Sequence, residues 1–346
     1  MRLLNTLLII FSFLSAAIIN CSTGGEHQDL PLNLEGQWAE SSLTSQSISR
    51  VKVYNAILYA STTKGLYRQE RSSLSPAWQS LGLQEAEVRD FVVWNPSEIL
   101  ASAEFPDSTT FIFRTLSGGT KWEPFQNGFG GDTQRIPSTL EKGLQNTNII
   151  FARRGSNVAK SKDKGKNWNS IYLEWGSLGA GPFIQQSKNV IWAGGANAIF
   201  EPQLFKSTDG GGTWERLGIL ENVETTVFDV ATHPSDNNTV IAGLGIGIRK
   251  STDGGRSWTT TFDQAGVFTL ARSTRDGRIV YAAGTTRDGR LSFFASGDFG
   301  DTWQQVTLPD SPADIQVNDM VSVTEDGREV LYLGTNKGIY SYRFEE

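Results

Sequence analysis

The chain has 346 residues, with 31 Lys and Arg against 37 Asp and Glu and a formal charge of −6. This acidic balance lacks the basic footprint that phosphate backbones select, so nucleic acid is not an expected partner. One cysteine rules out an internal disulfide, and the two histidines, His27 and His233, leave no basis for a histidine metal centre or a Ser-His-Asp triad; no cofactor is expected.

In chain order, Arg2 precedes an apolar run from Leu3 to Ile19 that ends in Ile18-Ile19-Asn20-Cys21. The pattern resembles a bacterial lipoprotein signal peptide, with Ile18 and Asn20 departing from the leucine and small residue usual there. The expectation is a signal peptide over 1–20, lipidation at Cys21, and a tether over 21–31 that begins Ser22-Thr23-Gly24-Gly25. The mature protein is then a membrane-anchored lipoprotein facing the periplasm or cell surface. Removal of the leader with Arg2 brings its formal charge to −7.

From there to the end one signal dominates, an octet Ser-x-Asp-x-Gly-x-x-Trp. Four copies are nearly intact: Ser161/Asp163/Gly165/Trp168, Ser207/Asp209/Gly211/Trp214, Ser251/Asp253/Gly255/Trp258 and Ser296/Asp298/Gly300/Trp303. Eroded copies end in Trp78 and Trp122, and successive tryptophans stand 44, 46, 46, 44 and 45 residues apart. Such a period, filled with short strands and turns, is the mark of a propeller blade. In the fifth repeat Val227 to Ala231, Thr239 to Ala242, Ile248 to Lys250 and Thr259 to Phe262 read as four antiparallel strands. Within the octet the Asp is expected to accept backbone N–H groups of its own turn, the Gly to take positive φ, and the Trp to pack on the blade. Asp163, Asp209, Asp253 and Asp298 are thus read as structural.

The ends complete a ring. Residues 331–343 match 58–68 but stop before a tryptophan, whereas Gly36-Gln37-Trp38-Ala39-Glu40 looks like a fourth strand with no blade before it. Pairing the two predicts an all-β, seven-bladed propeller over 32–346, closed by its N- and C-terminal strands and monomeric. The octets are similar to the BNR or Asp-box repeats of bacterial sialidases, sortilin-type propellers and xyloglucanase-type glycoside hydrolases.

That resemblance implies ligands on the face that carries the blade-to-blade connections and the second-to-third-strand loops. The segments there offer Arg135, Arg153, Arg154, Trp175 and Glu201 as ligand-binding candidates. Arg135-Ile136-Pro137 resembles the Arg-Ile-Pro motif of sialidases, whose arginine holds a substrate carboxylate; Glu201 and Tyr340 are candidates for that family's nucleophile pair. No complete catalytic set is legible. The leading reading is a non-catalytic lipoprotein whose loop face binds a protein or glycan. The alternatives are a glycoside hydrolase, sialidase-like or acting on a polysaccharide, and an assembly factor for a membrane complex. Trp94 and Trp192, outside the octets, read as core.

Overall fold

The computed structural model describes residues 32–40, 43–71, 77–107, 110–125, 137–154, 157–172, 181–219, 223–286, 290–306 and 314–345. Among them it holds strands and turns with no helix, arranged as seven four-stranded antiparallel sheets. Blade one is Ile48–Tyr54, Ile57–Thr62, Gly65–Glu70 and Gln79–Ser80. Blade two is Glu87–Asn95, Glu98–Glu104, Thr110–Thr115 and Glu123–Pro124; blade three is Thr139–Lys142, Ile150–Arg154, Asn157–Ser161 and Asn169–Tyr172. Blade four is Phe183–Gln185, Ile191–Ala196, Pro202–Ser207 and Glu215–Leu217; blade five is Val227–Thr232, Val240–Leu244, Gly247–Ser251 and Thr259–Phe262. Blade six is Gly266–Arg272, Val280–Thr285, Leu291–Ser296 and Gln304–Gln305.

Blade seven combines Val317–Glu325, Arg328–Thr335 and Gly338–Phe344 with Gly36–Glu40 as its outer strand. The register runs from Gly36 opposite Phe344 to Glu40 opposite Tyr340. Trp38 stacks on Tyr340 with ring centroids 5.3 Å apart. The seven-bladed, terminally closed ring is therefore the observed architecture.

The second strand of each blade lies between two neighbouring blades, which is why it reads as apolar and small residues rather than as an alternation. Val240–Leu244 and Ile191–Ala196 are buried throughout. Blades approach closely there: a Cβ on Gly243 would stand 2.9 Å from Val267 of blade six, and one on Gly334 2.8 Å from Ile48 of blade one. The apolar clusters accordingly span adjacent blades, as where Ala231 and Ile241 of blade five pack with Val267 and Phe294 of blade six. Trp94 and Trp192 are buried as expected, and their indole N–H groups donate to the Thr147 carbonyl and the Gln186 side chain.

The octets join the third and fourth strands. In each intact copy one Asp oxygen accepts a backbone N–H of its own turn: Asn167 for Asp163, Thr213 for Asp209, Ser257 for Asp253 and Thr302 for Asp298, at 2.8–2.9 Å. The Ser has a role that its position alone did not disclose. Its hydroxyl donates to the Asp and accepts the N–H of the Gly, at 2.8 Å for Gly165, Gly211 and Gly255. Those glycines take φ of 85°, 95° and 94°, where a side chain would be strained. In the eroded copy Thr115 replaces the Ser and Ser117 the Asp, and the bonds to Gly119 and Lys121 are kept. The residue after each Asp donates to the first-to-second-strand turn of the same blade, as Gly210 does to Asn189 and Gly254 to Asn238, so these turns share one face. The blade connections and second-to-third-strand loops share the other, called here the loop face.

Candidate functional site

Each inner strand starts at the loop face and lines a central channel. A cavity of about 910 Å³ opens among those starts, lined from Ser47, Ser138, Gly181 and Gln316 at the rim to Lys52, Glu141, Asp229 and Asp319 within. Five inner strands carry a bulge near their start, after Ile48, Val88, Val227, Val267 and Val317. A bulge re-aims the following side chain. In three blades that residue is an aspartate, giving Val88-Arg89-Asp90, Val227-Phe228-Asp229 and Val317-Asn318-Asp319.

Each of these aspartates reaches the inner strand of the next blade. Asp90 accepts the Leu140 N–H, Asp229 the Leu270 N–H and Asp319 the Val51 N–H, all at 2.8 Å. In blade one the same slot holds Arg50, in blade six Thr269. Burial acts to lower the Arg50 pKa, but the summed fields of Asp319, Asp90, Asp229 and Glu141 outweigh it and raise the pKa. Lys52 contacts Asp90 at 2.6 Å and donates to the carbonyls of Phe91 and Leu140, bridging three blades.

Burial pushes the Asp229 carboxyl up to about 7, against the pull of its bonds from Leu270 and Val230. Burial likewise lifts Glu141 to about 7, partly countered by Lys52. An unfolded Asp titrates near pH 3.9, so the stability contributed by Asp229 is complete below about pH 4 and is lost as pH rises through about 7. Asp229→Asn removes this titration. The melting temperature of the parent minus that of the variant should fall between pH 5 and pH 8, and a constant difference would show that the carboxyl does not titrate there.

The rim opposite these charges is apolar. Phe228 and Phe268 meet edge to face at 4.9 Å, and Ile199, Phe200 and Ile246 stand exposed on the loops of blades four and five.

The candidates from the sequence are placed as follows. Arg153 is on the loop-face half of blade three but buried, donating to the carbonyls of Gly181 and Pro182, and burial depresses its pKa to about 10. It ties blade three to the connection entering blade four. Arg154 follows it, half-buried at the strand end. Glu201 lies in the loop between Ile191–Ala196 and Pro202–Ser207, where Asn197 accepts its backbone N–H and donates to its carboxylate at 2.9 Å. Tyr340 is buried in blade seven, away from Glu201 in blade four. Arg135, Trp175 and Cys21 lie outside the described residues. Among the described residues, no group of three or more His, Cys, Asp or Glu is placed to hold a metal, and no helix is long and apolar enough to cross a membrane. His233 caps a turn, its Nδ1 accepting the Asp236 N–H at 3.1 Å.

No protein-family model matches the chain. It is 26% identical over 233 residues to a xyloglucanase of Hypocrea jecorina (strain QM6a), covering 64% of this chain and 26% of that protein. It is 26% identical over 146 residues to the photosystem II assembly lipoprotein Ycf48 of Trichormus variabilis, covering 40% of this chain and 41% of that one. The chain thus spans about a quarter and two fifths of these curated relatives. The solved structure of YCF48 bound to D1 peptide superposes with a TM-score of 0.65 at 17% identity, covering 90% of this chain and 97% of that one. That likeness is one of fold.

Proposed function

We propose that this chain is a non-catalytic binding propeller whose loop face engages a protein. One observation carries the reading: Asp90, Asp229 and Asp319, the acids that the repeat places in the channel, are spent on backbone N–H groups of the next blade. Carboxylates so engaged hold the ring together, while the apolar half of the rim faces outward as a contact surface. A single propeller that binds a peptide, as the YCF48 structure does, is consistent with this size and shape.

A second reading, glycoside hydrolysis, has one specific observation in its favour. Glu141 faces the cavity with its carboxyl raised to about 7, the range of a proton donor in such enzymes, and one relative is a xyloglucanase. Incubation with xyloglucan oligosaccharides and a panel of fluorogenic glycosides separates the two. The binding reading expects no turnover above that of Glu141→Gln; turnover that this substitution removes would establish the hydrolase instead.

The reading includes export, with 1–20 as leader, lipid on Cys21 and 21–31 as tether. The apolar run before Cys21 supports it, as does the lipoprotein among the relatives. Cys21→Ser should abolish incorporation of labelled palmitate and release the protein from membranes. Label retained on the variant would end this part of the proposal.

A further inference from the structure

The loop-face mouth of the channel is two-sided, and its two halves together specify a ligand chemistry. On blades four to six apolar side chains gather at the mouth on adjoining loops and strand starts. The Phe200 carbonyl accepts the Thr225 N–H at 2.7 Å, the Thr225 hydroxyl lies 3.1 Å from where a Gly245 Cβ would stand, and the Phe228 ring lies 3.4 Å from the same point. Ile246 follows Gly245, and Phe228 meets Phe268. Ile199 and Phe200, adjacent apolar side chains on one loop, are 64% and 65% exposed. The Thr225 side chain beneath them is buried, and its hydroxyl has no hydrogen-bond partner among the described residues.

On the other half, the cavity lining holds Glu87, Asp90, Glu141, Asp229 and Asp319 against Arg50, Lys52 and Arg89. Two of those cations are committed, Lys52 to Asp90 at 2.6 Å and Arg89 to Glu104 at 2.7 Å. Arg89 also lies 3.7 Å from Glu87, and Arg50 faces Glu141, Asp229 and Asp319, so three carboxyls share one cation and the cavity gains negative charge as Glu141 and Asp229 ionise around pH 7. A cation entering it finds the complementary field in a partly desolvated space, where pairing is strong.

We propose that this mouth takes a polypeptide segment whose apolar side chains lie across Ile199, Phe200, Ile246, Phe228 and Phe268 and whose neighbouring lysine or arginine enters the carboxylate-lined cavity. The inference rests on reading the chain as a protein-binding propeller and names that partner's chemistry. Aliphatic Ile199 and Ile246 match side chains rather than sugar rings, and the edge-to-face setting of Phe228 and Phe268 presents no flat double platform for a glycan. The carboxyls of Glu141 and Asp229, raised by burial, ionise more readily beside a guest cation, so affinity increases with pH between 6 and 8.

The test uses the chain from Ser22 onward, which keeps every described residue, and a displayed random dodecapeptide library. Selected peptides should carry Lys or Arg within two positions of an aromatic or branched apolar residue. In a synthetic peptide of the consensus, replacing the basic residue by Glu should weaken binding at least tenfold. Phe228→Ser and Glu141→Gln should each weaken the parent peptide at least fivefold when binding is measured well below the melting temperature of each variant. Phe200→Ser, at an exposed loop position, provides a second apolar probe that does not disturb the channel. Peptides enriched without a basic residue, or insensitive to Glu141→Gln, would overturn the inference while leaving a protein-binding propeller in place. No enrichment at all would overturn both.

Discussion

A chain that starts at Leu43 should melt roughly 10 °C or more below one that starts at Ser22, or fail to fold. The loss follows from what the first strand does. Gly36–Glu40 completes blade seven by pairing along Phe344–Tyr340, and Trp38 lies on Tyr340 and against Tyr342 with centroids 5.3 and 6.4 Å apart. Just before the strand, Leu34 accepts the Tyr342 hydroxyl at 2.9 Å, and Leu32 and Leu34 pack on the cluster shared by blades six and seven. Without these residues the edge of Gly338–Phe344 is bare and its aromatic face is wetted. A chain starting at Leu32 keeps all of this and should melt with the parent. Equal melting of all three chains, followed by scanning calorimetry, would show that the ring does not depend on its terminal strand.

Glu329→Ala is the point substitution with the largest expected effect, about 3 kcal/mol or more. Glu329 is 4% exposed in blade seven, yet its carboxylate is fully engaged. One oxygen accepts the hydroxyls of Ser273 and Tyr281, the other the Ser322 hydroxyl and the Thr274 N–H. Ser273, Thr274 and Tyr281 belong to blade six or the turn that follows its first strand, so this one group fastens two blades. Truncation takes the acceptor from the Ser273, Tyr281 and Ser322 hydroxyls in a place water reaches poorly, while the Thr274 N–H keeps the Ser322 hydroxyl at 3.1 Å; Glu329→Gln keeps an acceptor and should cost clearly less. Denaturant unfolding of both variants checks this; equal, small losses would mean that the carboxylate is dispensable.

What the sequence discloses here depends on how local the cause is. The octet is legible because Ser207, Asp209, Gly211 and Trp214 act within one turn, and closure because the C-terminal strands match Leu58 to Arg68 while Trp38 has no blade before it. Contacts between blades join residues about 50 positions apart, such as Asp90 with Leu140, and no pattern inside one strand announces them. A signal did exist. Val-x-Asp recurs at 88–90, 227–229 and 317–319, at the same place in three repeats, and alignment of the repeats would have exposed it.

The candidate site was legible by face rather than by residue. Arg153 and Arg154 sit side by side, and strand alternation buries the first against Gly181 and Pro182 while leaving the second half-buried. Which of two adjacent arginines turns inward depends on register. Glu201 sits in a loop that hydrogen-bonds to itself through Asn197, a detail that only the loop's fold supplies. The exposed pair Ile199 and Phe200 in that same loop carried no motif, so the apolar half of the rim was not visible in advance.

Hydrogen exchange on the chain from Ser22 onward, with and without a selected basic–apolar peptide, tests the functional reading most directly. Protection should rise at the loop-face starts of the inner strands, around 49–52, 228–230 and 268–270, and in the loops at 197–201 and 245–246, while the octet turns at 163–168, 209–214, 253–258 and 298–303 do not change. Protection confined to the octet turns, with the channel mouth unaffected, would contradict it.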